Sequence, residues 1–120
     1  MSVSLCTHLL HVQLFLTSLF SKLYSRNERY TYVLQDDCNL VKKKRGSVAG
    51  SIGVTIKKGS KGYGKCQLLW NGRGKGFMFA KGRPRAIWSS KVSGAFLQAN
   101  NDGKLVAARK DGSVVGAVIQ

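Results

Sequence analysis

The chain has 120 residues, 43% of them hydrophobic, which suits one domain with a modest core. Its 20 Lys and Arg against five acids leave a formal charge of +15, a surplus that attracts nucleic acid, anionic glycans or acidic membranes. In residues 1–41, Lys22, Arg26 and Arg29 balance Glu28, Asp36 and Asp37, so the whole surplus lies in 42–120. Cys6, Cys38 and Cys66 form no CxxC pair, and His8 and His11 are remote from the last two in sequence, which argues against a zinc site; no metal or cofactor is expected.

Residues 3–20, "VSLCTHLLHVQLFLTSLF", are apolar enough for a secretory leader but lack a basic start and a small-x-small cleavage site. Two His and a Gln argue against a membrane span. Residues 1–21 are therefore a leader or an N-terminal strand segment, with 22–120 as one domain. Beyond residue 30 the chain runs through "YTYVL", "GVTI", "GFMFA", "AIWSS", "KLVAA" and "SVVGAVI", separated by Gly, Asn, Asp and Lys. That spacing predicts an all-β fold.

Between the first two runs stands "LQDDCNLVKKKRG", Leu34 to Gly46. The cations Lys42, Lys43, Lys44 and Arg45 match a basic localisation pattern and could contact phosphates; as structure they read as the solvated turn after a strand. Asp36 and Asp37 are no catalytic pair, because neighbours on a strand face opposite ways. Cys38 and Cys66 are either a disulfide, which requires an oxidising compartment, or two buried thiols. "GSKGYGKC", Gly59 to Cys66, imitates a phosphate-binding loop, yet Cys66 stands where Ser or Thr belongs and no amphipathic helix follows. No nucleophile, base and orienter come together, so an enzyme is not expected. No helix-turn-helix, finger or RNP motif points to specific nucleic-acid recognition, although Trp70, Phe77 and Phe79 among Arg73 and Lys75 could stack on single strands.

The runs repeat. "LQDDCNLVKK", "LWNGRGKGFMF" and "QANNDGKLVAA" align on Asp37, Arg73 and Asp102, with Val41, Phe77 and Val106 four positions on. "SIGV", "AIWSS" and "SVVGA" follow each anchor. Three copies at a period of about 30 residues suggest three equivalent sheets around a pseudo-threefold axis.

Gln35-x-Asp37-x-Asn39-x-Val41 resembles the front of the Q-x-D-x-N-x-V-x-Y motif of the bulb-type mannose-binding lectins of monocot plants, the snowdrop-lectin-like family. The resemblance covers about residues 30–120, and "DDCNLV" and "AIWSS" are characteristic strings. It implies a β-prism II of three four-stranded antiparallel sheets and a Cys38–Cys66 disulfide. It also implies one sugar pocket per repeat: Asp accepts, the Asn and Gln amides donate and accept, Val meets the ring carbons and Tyr closes the wall.

In the first repeat Gln35, Asp37, Asn39 and Val41 remain, but Lys43 replaces Tyr; an ammonium cannot accept and is no rigid wall. The second reads Asn71, Arg73, Lys75, Phe77 and Phe79, the third Asn100, Asp102, Lys104, Val106 and Ala108. Both are expected to be silent for mannose. Of the axial tryptophans the family carries, "AIWSS" supplies Trp88, whereas Gly53 and Gly116 stand in the other copies, with Trp70 available to repack the centre. The expected function is a lectin-like plant defence protein with at most one mannose pocket, weakened, in the first repeat. The alternative is a cationic protein on the same fold that acts on microbial membranes or polyanions. The disulfide would put the chain in a secreted or vacuolar location, against the nucleocytoplasmic one that the basic run suggests, and the resemblance implies a homodimer formed by exchange of the C-terminal strand "SVVGAVIQ".

Overall fold

In the computed structural model, residues 22–70 and 75–120 are described, with the backbone of Ser2–Ser4 and Leu14–Thr17. The strands in chain order are β1 (Ser2–Ser4), β2 (Leu14–Thr17), β3 (Lys22–Tyr24), β4 (Tyr30–Leu34), β5 (Leu40–Lys44) and β6 (Ser47–Ser51). They continue as β7 (Cys66–Trp70), β8 (Gly76–Ala80), β9 (Trp88–Ser89), β10 (Phe96–Ala99), β11 (Leu105–Ala108) and β12 (Val114–Ile119). No helix occurs among the described residues.

Three sheets form, in the orders β1-β3-β4-β5-β6, β2-β7-β8-β9 and β10-β11-β12. The all-β prism of three sheets is as expected, but the strand counts differ between sheets. Sheet one gains β1, parallel to β3 and the one parallel pair among the described strands. Of residues 1–21, β1 and β2 take places in sheets one and two, and the remainder lies outside the described residues.

Alternation places one face of each sheet inward. Leu23, Tyr32, Leu34 and Leu40 from sheet one meet Leu68, Trp70 and Met78 from sheet two and Leu97, Leu105, Ala107 and Ile119 from sheet three in one buried cluster. Trp70 is the largest fully buried side chain, and its indole N–H donates to the Gly94 carbonyl at 3.1 Å. Gly76 faces it across the β7–β8 ladder, and a Cβ there would collide with the ring. Trp88 is only half-buried. It lines an open cavity of about 200 Å³ with Ser51, Ile52, Lys91, Val92, Ala117 and Val118, drawn from all three repeats. Trp70 thus supplies the central indole. Val92 crowds the space where a Gly116 side chain would stand, while the space beside Gly53 is open.

The run "GVTI", expected as a strand, is a connecting loop. Gly53 adopts φ +80, and the Ile56 N–H donates to the Asp37 carbonyl at 2.8 Å rather than to a ladder. The strand of that region is β6, reached from β5 by a two-residue hairpin turn. Arg45 (φ 52) and Gly46 (φ 83) there both take the left-handed values that match the twist of the flanking strands.

Candidate functional site

The motif residues of the first repeat form a turn that opens into a strand. The Gln35 N–H donates to the Asn39 carbonyl at 2.9 Å, Cys38 N–H to the Gln35 carbonyl at 3.0 Å, and Asn39 N–H to Asp37 Oδ1 at 3.0 Å. Cys38 turns the chain at φ 69. The third repeat reproduces this geometry. Asn100 N–H donates to the Lys104 carbonyl at 2.9 Å, Gly103 N–H to the Asn100 carbonyl at 3.1 Å, and Lys104 N–H to Asp102 Oδ1 at 3.1 Å, with Gly103 at φ 90. The turn of the first repeat overturns the expectation that Asp36 and Asp37 are neighbours on a strand; both are turn residues. The corresponding anchor of the second repeat, Arg73, lies outside the described residues, as does Asn71.

Of the five motif positions in the first repeat, then, Gln35, Asp37 and Asn39 belong to the turn, and Val41 and Lys43 to β5. Asp37 and Asn39 also serve the framework. One Asp37 oxygen closes its own turn, and Asn39 Oδ1 accepts the Gly53 N–H at 3.2 Å. The Gln35 amide takes no partner among the described residues, so its donor and acceptor are both uncommitted. Val41 is buried between Val33 and Ser51, and Lys43 is half-buried between Thr31 and Val48.

The third copy is closed. Gln98 Nε2 donates to Asn100 Oδ1 at 2.6 Å, Val106 and Ala108 are buried, and Lys104 is exposed. The segment around Gly94 covers Ala108: the Ala95 N–H reaches its carbonyl at 2.7 Å, and a Cβ on Gly94 would stand 2.8 Å from the Ala108 backbone. In the second copy Lys75 is exposed at the start of β8, and Phe77 and Phe79 share the outward face of that strand.

The cation run requires a correction, since it is not one solvated turn. Lys42 lies on the inward face of β5 and is 8% exposed. Its ammonium donates to the Gly103 carbonyl at 2.9 Å and to the Gln120 backbone oxygen at 2.6 Å. The Tyr32 hydroxyl donates to the same Gly103 carbonyl at 3.0 Å. Burial, reinforced by Asp102 and Tyr30, holds the Tyr32 hydroxyl pKa far above its ordinary value, so it remains a donor. Lys42 is therefore unavailable to a polyanion. Lys44, whose ammonium lies 5.8 Å from the Tyr30 ring, and Arg45 are exposed. Sequence reasoning missed Lys42 because its partners are contributed by another sheet; the one local signal was strand alternation within "VKKKR".

Cys38 and Cys66 are disulfide-bonded, with Cα atoms 5.3 Å apart, which joins the motif turn of sheet one to the start of β7. The imitation phosphate loop thus ends in a bonded cysteine and a strand.

No protein-family profile and no curated protein matches the sequence. Solved structures do. A lectin from Allium sativum aligns at a TM-score of 0.60 with 24% identity over 78% of this chain and 90% of that one. The Polygonatum cyrtonema lectin, crystallised with a monomannoside, aligns at 0.59 with 24% identity over 78% of this chain and 86% of its own. The chain has the β-prism fold of these lectins.

Proposed function

We propose that the chain is a non-enzymatic carbohydrate-binding protein of lectin type, with one weakened mannose-type site on sheet one. The observation that carries this reading is the Gln35–Lys43 unit. An uncommitted amide at Gln35 stands in one turn with a carboxylate at Asp37 that has a second oxygen to offer, and Val41, buried in β5, supports the turn from beneath. Lys43 brings a donor where a wall and an acceptor would tighten the site, so affinity is low. The monomannoside held by the Polygonatum lectin on the same fold supports the ligand class.

The Cys38–Cys66 bond supports a secretory or vacuolar location, because such bonds persist in oxidising compartments. Val114 and Val115, exposed at the start of β12, support pairing of two copies through the C-terminal strand.

The test is titration with methyl mannoside alongside a glycan array. Gln35→Ala should abolish binding without disturbing the turn, and Lys43→Tyr should strengthen it. Undiminished mannose binding by Gln35→Ala would remove the site from sheet one.

A further inference from the structure

The outward face of sheet two carries three successive cross-strand pairs. Gln67 stands opposite Phe79 and Leu69 opposite Phe77 in the β7–β8 register, flanked by the inward pairs Cys66–Ala80 and Leu68–Met78. One step beyond, the Lys81 N–H donates to the Lys65 carbonyl at 3.0 Å, so Lys65 and Lys81 extend the same face.

Two features there are locally unfavourable and adjoin each other. Directly opposed like charges destabilise a sheet. A side-chain hydrogen bond with Lys81, and after it the charge of Lys81, holds the Lys65 pKa below its ordinary value, and neither side chain has a carboxylate partner among the described residues. Beside them Phe79 exposes 37% of its surface, with the Phe77 ring centroid 6.2 Å away. The arrangement is held firmly: Cys66, next to Lys65, is disulfide-bonded, and Arg83 Nε donates to the Lys61 carbonyl at 3.2 Å just past Lys81.

We propose that this face, built on Lys65, Lys81, Gln67, Phe79 and Phe77, binds an anionic polysaccharide, a chain of sugar rings bearing carboxylates or sulfates. An acid group between Lys65 and Lys81 relieves their repulsion. The apolar face of a sugar ring covers the exposed phenyl of Phe79, and the Gln67 amide both donates to and accepts from ring hydroxyls. Lys75 stands exposed at the far end of β8, about 20 Å from Lys81 at the usual strand rise, so the face fits an extended polymer rather than a single sugar. Phe77 is only half-exposed beside Phe79, a small apolar area that disfavours insertion into a bilayer. The described cations gather at the ends of the face instead of tracking a backbone along it, which disfavours single-stranded nucleic acid. The proposal is independent of the sheet-one pocket, whose residues it does not use.

The experiment measures binding of polygalacturonate and of heparin to the full chain at low and high salt. Methyl mannoside, oligothymidylate and phosphatidylserine vesicles serve as competitors. The parent protein should bind both polymers, more weakly at high salt. Lys65→Gln with Lys81→Gln should weaken binding about tenfold, as expected for two exposed ion pairs lost, and flatten its salt dependence. Its melting temperature should hold or rise, because a repulsion is gone. Phe79→Ser should weaken binding about fivefold at both salt concentrations, as expected for a lost ring contact. Lys44→Gln on sheet one should leave it unchanged, and Gln35→Ala should affect mannose alone. Polymer binding as tight as the parent's in both the Lys65/Lys81 and the Phe79 variants would overturn the proposal. So would oligothymidylate or vesicles binding more tightly than either polysaccharide.

Discussion

Asp37 and Asp102 do the same work in two different sheets: each carboxylate accepts the N–H two residues on, at 3.0 and 3.1 Å, beneath a residue in the left-handed conformation. The fold thus uses the motif aspartate as a turn lock, and a sugar could claim only what the lock leaves over. Asp102→Ala, in the closed third copy, should cost about 1 kcal/mol, a typical hydrogen-bond contribution, and leave mannose binding unchanged. Asp37→Ala should cost the same stability and abolish sugar binding. Chemical denaturation paired with mannoside titration separates the two effects; equal loss of binding in both variants would show that Asp37 acts only through folding.

Lys42 is the buried cation between sheets one and three. Lys42→Ala removes the charged donor from two backbone oxygens and should cost about 3 kcal/mol, within the range for breaking a buried charge-assisted contact. Lys44→Ala, two residues along and exposed, should stay within about 0.5 kcal/mol of the parent. Urea unfolding of both variants decides; matched midpoints would mean that Lys42 is solvated after all.

Tyr32 makes stability depend on alkaline pH. Its folded pKa is raised, so its contribution is complete below the ordinary tyrosine value near pH 10 and declines as pH climbs toward the folded value. The unfolded chain loses the proton first. The decline should approach about 1.4 kcal/mol per pH unit above pH 10. Tyr32→Phe should remove that part of the slope while lowering stability at neutral pH through the lost bond to the Gly103 carbonyl. Denaturation midpoints at pH 8 to 11 test it; an unchanged slope in the variant rejects it.

Gly76 and Trp70 form a pair in which absence of a side chain makes room for the indole. Gly76→Ala should destabilise by about 1–3 kcal/mol, the usual range for overpacking. Combining it with Trp70→Leu should cost less than the sum of the two single changes, because the collision is gone. Additive losses in the double-mutant cycle would place the strain elsewhere.

The strands most legible in the sequence were those with β-branched or aromatic alternation between turn residues. "YTYVL", "GFMFA" and "KLVAA" became β4, β8 and β11, and "SVVGAVI" became β12. "GVTI" has the same composition but failed, because Gly53 turns the chain and the Ile56 N–H is taken by the Asp37 carbonyl. Local composition cannot report a hydrogen bond to a residue nearly twenty positions earlier. The motif turn was not legible: the alternation of Gln35, Asp37 and Asn39 reads as strand, but the bonds from Cys38 N–H to the Gln35 carbonyl and from Asn39 N–H to Asp37 Oδ1 fold it into a turn. Nor was the fate of Lys42, since its partners Gly103 and Gln120 lie a whole sheet away. The Lys65–Lys81 pair was likewise invisible until register set the two opposite.

The three sheets are fastened to one another by unequal means. The Cys38–Cys66 bond makes sheets one and two a single covalent loop, whereas the ties from sheet one to the turn and end of sheet three are hydrogen bonds, from Lys42, Tyr32 and the Asn27 N–H. Under mounting denaturant the third sheet should therefore part first, as one cooperative unit. Amide hydrogens of β10, β11 and β12 should exchange ahead of those in β4 and β7, and the order should hold until a reductant opens the covalent loop.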